Sequence, residues 1–206
     1  MTAIVARNEL PFENGDVLSR EEFHRLYSEC DELEHVELIE GVVYLPSPTR
    51  ADGHAREQML VLAWLDAYAS RRDGVSVLPP NTLLLDERNE PEPDAMLVRE
   101  GDAAYRDGYL ASAPELIVEI AASSAARDLH QKKQAYERNG VREYMVWRTK
   151  EAGIDWFRLV DGKYERVEPG RDGVIESAEF PGLRLDVQAI VDGDRKRVLA
   201  ALNVEQ

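Results

Sequence analysis

Glu119 lies in Leu116-Ile117-Val118-Glu119-Ile120, where it is the only ionisable residue in the second half of a run that otherwise has the composition of a buried strand. An unpaired carboxylate in such surroundings costs several kcal/mol. A metal ion, a basic partner or a proton must compensate it, unless the strand lies at an edge where Glu119 reaches water. Asp94 follows Pro93 at the mouth of another apolar stretch, Ala95-Met96-Leu97-Val98. The proline sets the chain direction just before the carboxylate, although Pro-Asp is also an ordinary turn dipeptide. An acid at one strand's entrance and an acid inside a neighbouring central strand can converge on one point. One or two carboxylates suit Mg²⁺, a hard ion that keeps several of its waters.

Lys132 adds a cation. Leu129, Lys132, Lys133 and Tyr136 fall at i, i+3, i+4 and i+7 of a helical segment, one face of the cylinder. A lysine on or beside an inward face either snorkels its ammonium into water or aims it at a phosphate oxygen or an attacking water, where it would stabilise developing negative charge. His54, near the start of another helix, is either a helix-end hydrogen-bond donor or a group that binds a phosphate or shuttles a proton.

These residues must be positioned by the elements around them. Residues 1–17, with Pro11 and Gly15, read as a flexible N-terminal arm. Ser19 and Glu22 form a capping box for a helix over about 20–31. HVELIEGVVYL reads as a hairpin turning at Glu40-Gly41, and apolar residues at 60, 61, 63, 64, 65 and 68 place a helix over 52–70. Short strands follow at 75–78, 82–85 and just after Asp94. ELIVEIAA at 115–122 has the near-continuous apolar character of a central strand covered on both faces. Asp128 to Asn139 is a helix closed by Gly140. Strands return at 143–148, 154–160 and near 164–168, before a final helix over 193–203. Strands precede, separate and follow helices, so the class is α/β with one domain over 18–206.

The order Glu37-Leu38-x-x-Gly41, Pro93-Asp94, Val118-Glu119-Ile120 and Asp128-x-x-x-Lys132-x-x-x-Tyr136-x-x-x-Gly140-Val141-x-Glu143-Tyr144 resembles the Uma-two family of bacterial endonucleases, assigned to the PD-(D/E)XK, or restriction-endonuclease-like, superfamily. The resemblance spans roughly residues 20–190. It implies a central mixed β-sheet flanked by helices, with a divalent-metal site at the sheet's edge. Asp94 and Glu119 would be the core metal ligands and Glu37 the supporting acid. With the turn at Glu40-Gly41, Glu37 lies on the strand, where it is also placed to face Tyr44 across the hairpin. Two positions depart from the superfamily pattern. Ala121 stands where a lysine would follow Glu119, which makes Lys132 the natural substitute. Met145-Val146-Trp147-Arg148 replaces a segment that commonly begins with tryptophan and ends with an acid, a change that bears on packing more than on chemistry.

Composition narrows the rest. The chain has 206 residues, 25 basic and 40 acidic, for a net charge of −15. That balance speaks against broad non-specific binding to nucleic acid or an anionic membrane. The one cysteine, Cys30, excludes an internal disulfide and a cysteine-based zinc site. No leader-like opening and no apolar run long enough to span a bilayer is present, so a soluble cytoplasmic protein is expected. Gly-rich phosphate loops, nucleophile elbows and H-E-x-x-H are absent from the sequence. The expectation is therefore a Mg²⁺-dependent endonuclease, with Mn²⁺ as an alternative ion and DNA as the substrate. It would act as a homodimer, since cutting both strands is simplest with two sites. The acidity calls for a DNA-targeting partner, or for a small or single-stranded substrate. The alternative is a catalytically inactive nuclease-fold protein acting as an interaction module, which Ala121 and the charge both fit.

Overall fold

The apolar run expected at the centre of the sheet is there: every residue of Leu116–Ala121 is buried. The computed structural model describes residues 11–30, 35–46, 54–122 and 124–202. Its elements run α1 (Arg20–Ser28), β1 (Glu37–Ile39), β2 (Val42–Tyr44), α2 (His54–Ala69), β3 (Val75–Leu78), β4 (Ala95–Arg99), β5 (Tyr105–Arg106), β6 (Tyr109–Leu110) and β7 (Leu116–Ala121). Next comes a helical run made of α3 (Ala125–Arg127), a π turn (Asp128–Lys132) and α4 (Lys133–Arg138). The chain finishes with β8 (Glu143–Arg148), β9 (Gly153–Val160), β10 (Lys163–Val167), β11 (Val174–Glu176), β12 (Arg184–Asp186), α5 (Val187–Val191) and α6 (Arg195–Ala200).

Six strands form one sheet in the order β10-β9-β8-β7-β4-β3. β7 and β8 are parallel and the other neighbours antiparallel. The parallel pair needs a crossover, which the helical run 125–138 supplies. The architecture is thus the expected central mixed sheet flanked by helices.

The alternation of β7 divides the interior in two. Leu116, Val118 and Ile120 join Trp64 and Leu65 of α2, with Leu185, Ile190 and Val198, in the larger core. Trp64 meets Trp156 edge-on at 6.3 Å and donates its indole N–H to the Arg184 carbonyl at 3.0 Å, which ties α2 to the C-terminal elements. Trp64→Ala at such a site costs about 3–5 kcal/mol. Ile117 and Ala121 join Tyr136, Val141 and Tyr144 beneath α4 on the opposite face. Glu119 shares that parity and faces the π turn.

A third cluster, Phe12, Phe23, Val36, Leu38 and Val43, sits under α1 and the β1–β2 hairpin. The described end of the expected arm is pinned to this hairpin. Phe12 is buried, the Gly15 N–H donates to the Val43 carbonyl at 2.8 Å, and Val43 donates back to Asp16. Residues 1–10 of the arm lie outside the described residues, as do 52–53 at the start of the expected second helix.

Two local expectations are corrected. Residues 82–85 form no strand. Leu83 and Leu84 are buried, but their N–H groups donate to the separate carbonyls of Pro91 and Leu110, so apolar content there reflects packing rather than a ladder. The final helix, expected over 193–203, begins later, as α6 after Gly193 at φ +69°, and is preceded by a short helix, α5, that was not expected. The short hairpins β5–β6 and β11–β12 were not expected. No helix among the described residues is long and apolar enough to cross a membrane.

Candidate active site

Glu119 and Lys132 meet inside the protein. Both are buried, and the Lys132 ammonium lies 2.8 Å from Glu119 Oε1. The Tyr136 hydroxyl donates to the same oxygen at 2.9 Å. Asp128 is also buried, with Oδ1 3.9 Å from the ammonium, and Ser124 donates its hydroxyl to Asp128 Oδ2. In a regular α-helix residues at i, i+4 and i+8 fan out by roughly 80°. The π turn at 128–132 takes up an extra residue and removes much of that drift. Asp128, Lys132 and Tyr136 thus all turn inward at one place. Such turns recur at functional positions.

The hairpin brings Glu37 to the other side of the ammonium. Its Oε1 is 2.6 Å from Lys132 Nζ and accepts the Glu92 N–H at 2.9 Å, while Oε2 is 3.5 Å from the Arg127 guanidinium. Glu37 also pairs across the hairpin with Tyr44, and Arg127 stacks on the Tyr44 ring at 4.7 Å. Glu37 is thus both the cross-strand partner of Tyr44 and an ion-pair partner of Lys132. The turn fits its sequence: Glu40 and Gly41 have φ of +54° and +79°, the mirror-image geometry a two-residue hairpin requires. Glu40 occupies the hairpin tip, a position that usually faces solvent. It is instead half-buried, 2.7 Å from Arg138 on α4, so the tip docks onto the same helical run that carries Lys132.

Asp94 arrives along the sheet. Ala95 pairs with Val118 in the β4–β7 register, and one more step places Asp94 across from Glu119. Its Oδ2 accepts the Ile120 N–H at 2.6 Å, and Oδ1 contacts His54 Nε2 at 2.8 Å and Gln58 Nε2 at 3.4 Å. His54 is the first described residue of α2, and the hydrogen bond to Asp94, outweighing burial, raises its pKa.

Charge in this region is unbalanced. Burial pushes the Glu119 carboxyl well above the ordinary carboxylate range. Lys132 opposes that shift, but Asp128, Asp94 and Glu37 reinforce it. Burial alone would lower the pKa of Lys132, yet Glu119, Glu37 and Asp128 together raise it, so the ammonium stays charged. Among the described residues no three His, Cys, Asp or Glu side chains surround one point as a metal cage. A pair of carboxylates is a different arrangement, and it is the usual protein share of a Mg²⁺ shell completed by water. Asp94 lies one register step beyond the Ala95–Val118 pair, near enough for its charge to act on Glu119, in surroundings where four carboxylates outnumber Lys132 and Arg127. The donor atoms and the surplus negative charge fit a hard divalent cation.

Of the residues expected from sequence, Glu37, Glu119 and Lys132 share one hydrogen-bonded cluster. Asp94 and His54 form a second pair beside it, joined to β7 through Ile120. Glu37 is brought to Lys132 rather than into a three-carboxylate cage with the other acids. Sequence reasoning gave no role to Asp128, Tyr136 or Arg127. The four-residue steps Asp128, Lys132 and Tyr136 carried the signal for the first two, and nothing local marks Arg127.

A family model described as "Putative restriction endonuclease", Uma2, matches residues 20–188. Comparison with curated proteins gives no match. Among solved structures, a crystal structure titled as a putative nuclease belonging to DUF820, from Anabaena variabilis, is similar with a TM-score of 0.64. It shares 15% sequence identity, and the match covers 81% of this chain and 97% of that one. At that identity the likeness speaks for the fold, which is restriction-endonuclease-like. Matched over most of its length, the chain belongs to the Uma2 family of restriction-endonuclease-like proteins.

Proposed function

We propose that this protein is a Mg²⁺-dependent endonuclease of the cytoplasm that hydrolyses phosphodiester bonds in DNA, with Mn²⁺ as an alternative ion. The observation that carries this reading is the Ala95–Val118 register, which sets Asp94 one step on towards the level of Glu119, together with the buried Lys132 ammonium 2.8 Å from Glu119. Asp94 and Glu119 would hold the ion, whose charge makes water a usable nucleophile at neutral pH and offsets charge on phosphate oxygens. Every other part belongs to the chain itself. Lys132, kept cationic by the acids around it, stabilises the negative charge that builds on phosphorus-bound oxygens. Glu37 is a positioning residue, since its carboxylate is taken up by Lys132, the Glu92 N–H and Arg127. His54 and the Ile120 N–H orient Asp94. His54 is half-exposed and so also open to a substrate phosphate.

A homodimer would supply the two sites a double-strand cut needs. With a net charge of −15, a DNA-targeting partner protein would supply the phosphate contacts this chain lacks. The test is nicking of supercoiled plasmid with Mg²⁺ or Mn²⁺, set beside Asp94→Ala and Glu119→Ala. The proposal expects the parent to nick and both variants to lose the activity. Nicking that survives in either variant contradicts it.

One observation favours a second reading, a non-catalytic interaction module. Glu119 Oε1 is already satisfied by Lys132 and Tyr136, and Ala121 stands where the superfamily places its lysine. A melting scan separates the two. A competent site is stabilised by Mg²⁺ according to its occupancy, about 2.7 kcal/mol at a hundred times the dissociation constant. The module shows no shift.

A further inference from the structure

A cleft of about 490 Å³ opens beside the acidic site, and its lining is unlike that of a phosphate pocket. Among the described residues it is lined by Tyr27, Tyr109, Asn81, Thr82, His35, Gly108 and Glu92, with no lysine or arginine. Glu92 connects the two places. Its N–H donates to Glu37 Oε1, and two residues later the chain reaches Asp94.

The walls are tied to their neighbours. Tyr109 meets the His24 ring edge-on at 5.1 Å, and His24 is held by the buried carboxylate of Glu90 at 2.8 Å. The Tyr27 hydroxyl accepts the Val36 N–H at 3.4 Å, and its ring lies 5.5 Å from Phe23. His35 sits in the left-handed region, φ +59°, and its Nδ1 lies 2.5 Å from Glu92 Oε1, which fixes the carboxylate. One N–H of the Asn81 amide is taken by the Pro79 carbonyl at 2.6 Å, and its oxygen can accept. The cleft therefore offers two tyrosine side chains, acceptors in the Glu92 carboxylate and the Asn81 oxygen, and hydroxyls of Tyr27 and Thr82 that can donate or accept. A fitting ligand is flat and brings N–H donors, while a phosphate meets the Glu92 carboxylate with no lysine or arginine among the described lining residues to receive it.

We propose that this cleft is a nucleobase subsite, taking an unstacked base with an exocyclic amino group (adenine, cytosine or guanine) from the strand that crosses Asp94 and Glu119. Bases removed from the stack are bound by aromatic stacking and by hydrogen bonds to their edges, and a carboxylate accepts readily from an amino group. The inference rests on the nucleic-acid reading above and deepens it. The enzyme would act on single-stranded or locally opened substrate, with a mild preference set by Glu92. Recognition through a neutral base also suits an acidic protein that makes few phosphate contacts.

The test uses the full-length protein and fluorescein-labelled twelve-nucleotide oligomers of dA, dC, dG or dT. Anisotropy is read in Ca²⁺, with nicking measured separately in Mg²⁺. The dA, dC and dG oligomers should bind roughly tenfold more tightly than dT. Glu92→Gln should collapse that difference, and Tyr109→Ala should weaken the amino-bearing oligomers by roughly tenfold. Affinity should fall only shallowly with salt. Equal binding of dT with no effect of Tyr109→Ala overturns the subsite. Nicking without base discrimination removes the subsite and leaves the endonuclease standing. Discrimination without nicking under any ion removes catalysis and leaves the subsite.

Discussion

The ammonium of Lys132 lies 2.8 Å from a Glu119 oxygen deep in the protein, although the two belong to different layers, a helical turn and the central strand. Buried ion pairs add little net stability over apolar replacements, but removing one partner leaves an uncompensated charge. Lys132→Met strands the carboxylates of Glu119 and Glu37 and should cost about 3–5 kcal/mol in urea denaturation. Adding Glu119→Leu to that variant should recover part of the loss. A cost below about 1 kcal/mol for Lys132→Met would show that the pair is dispensable.

The hairpin that delivers Glu37 depends on its turn. Gly41 has φ +79°, and a Cβ there would lie 3.3 Å from the Leu18 carbonyl and 3.4 Å from the Arg88 guanidinium. Gly41→Ala should destabilise by about 1–2 kcal/mol through backbone strain and this crowding. It should also lower nicking, because Glu37 and Lys132 would lose register. Chemical denaturation and the plasmid assay on one preparation check both effects. Unchanged stability would contradict the account of the turn.

Asp86 locks the docked hairpin tip to the far end of the helical run, and it gives the fold an acid dependence. Burial works against its charge. Hydrogen bonds from the Arg88 N–H, Asn139 and Asn89, together with the charge of Arg138, outweigh burial and hold its carboxyl below the ordinary aspartate value. Because the folded pKa lies below the unfolded one, this stabilisation is present above about pH 3.9 and is lost as pH falls through the folded pKa. Asp86→Asn should therefore be less stable than the parent by about 1–2 kcal/mol near neutrality. The difference should close below about pH 4. Urea titrations across that range decide it, and a gap that persists in acid argues against this role.

How far the sequence reveals this structure depends on the range of the signal. The β7 core strand, the Glu40-Gly41 turn and the α2 periodicity are local patterns, and each appears where its pattern lies. The π turn is one extra residue within a helical segment, and side-chain periodicity over a few turns does not register it. Residues 82–85 have strand composition, but Leu83 and Leu84 are buried through contacts with distant carbonyls. Glu119 is legible because its polarity conflicts with its neighbours. Its partner could be narrowed to a lysine on an inward helix face. Arg127, and the tyrosine-walled cleft assembled from separate segments, leave no trace in any single stretch of chain.

The central claim is that Asp94 and Glu119 share a divalent cation. A crystal structure of the protein grown with Mn²⁺ tests it most directly, because anomalous scattering identifies the ion without reference to activity. The account predicts a peak between the two side chains, at about 2.1 Å from an oxygen of each, with Lys132 still bound to Glu37. Full-occupancy Mn²⁺ elsewhere, with no peak at this pair and Glu119 held only by Lys132 and Tyr136, would contradict it.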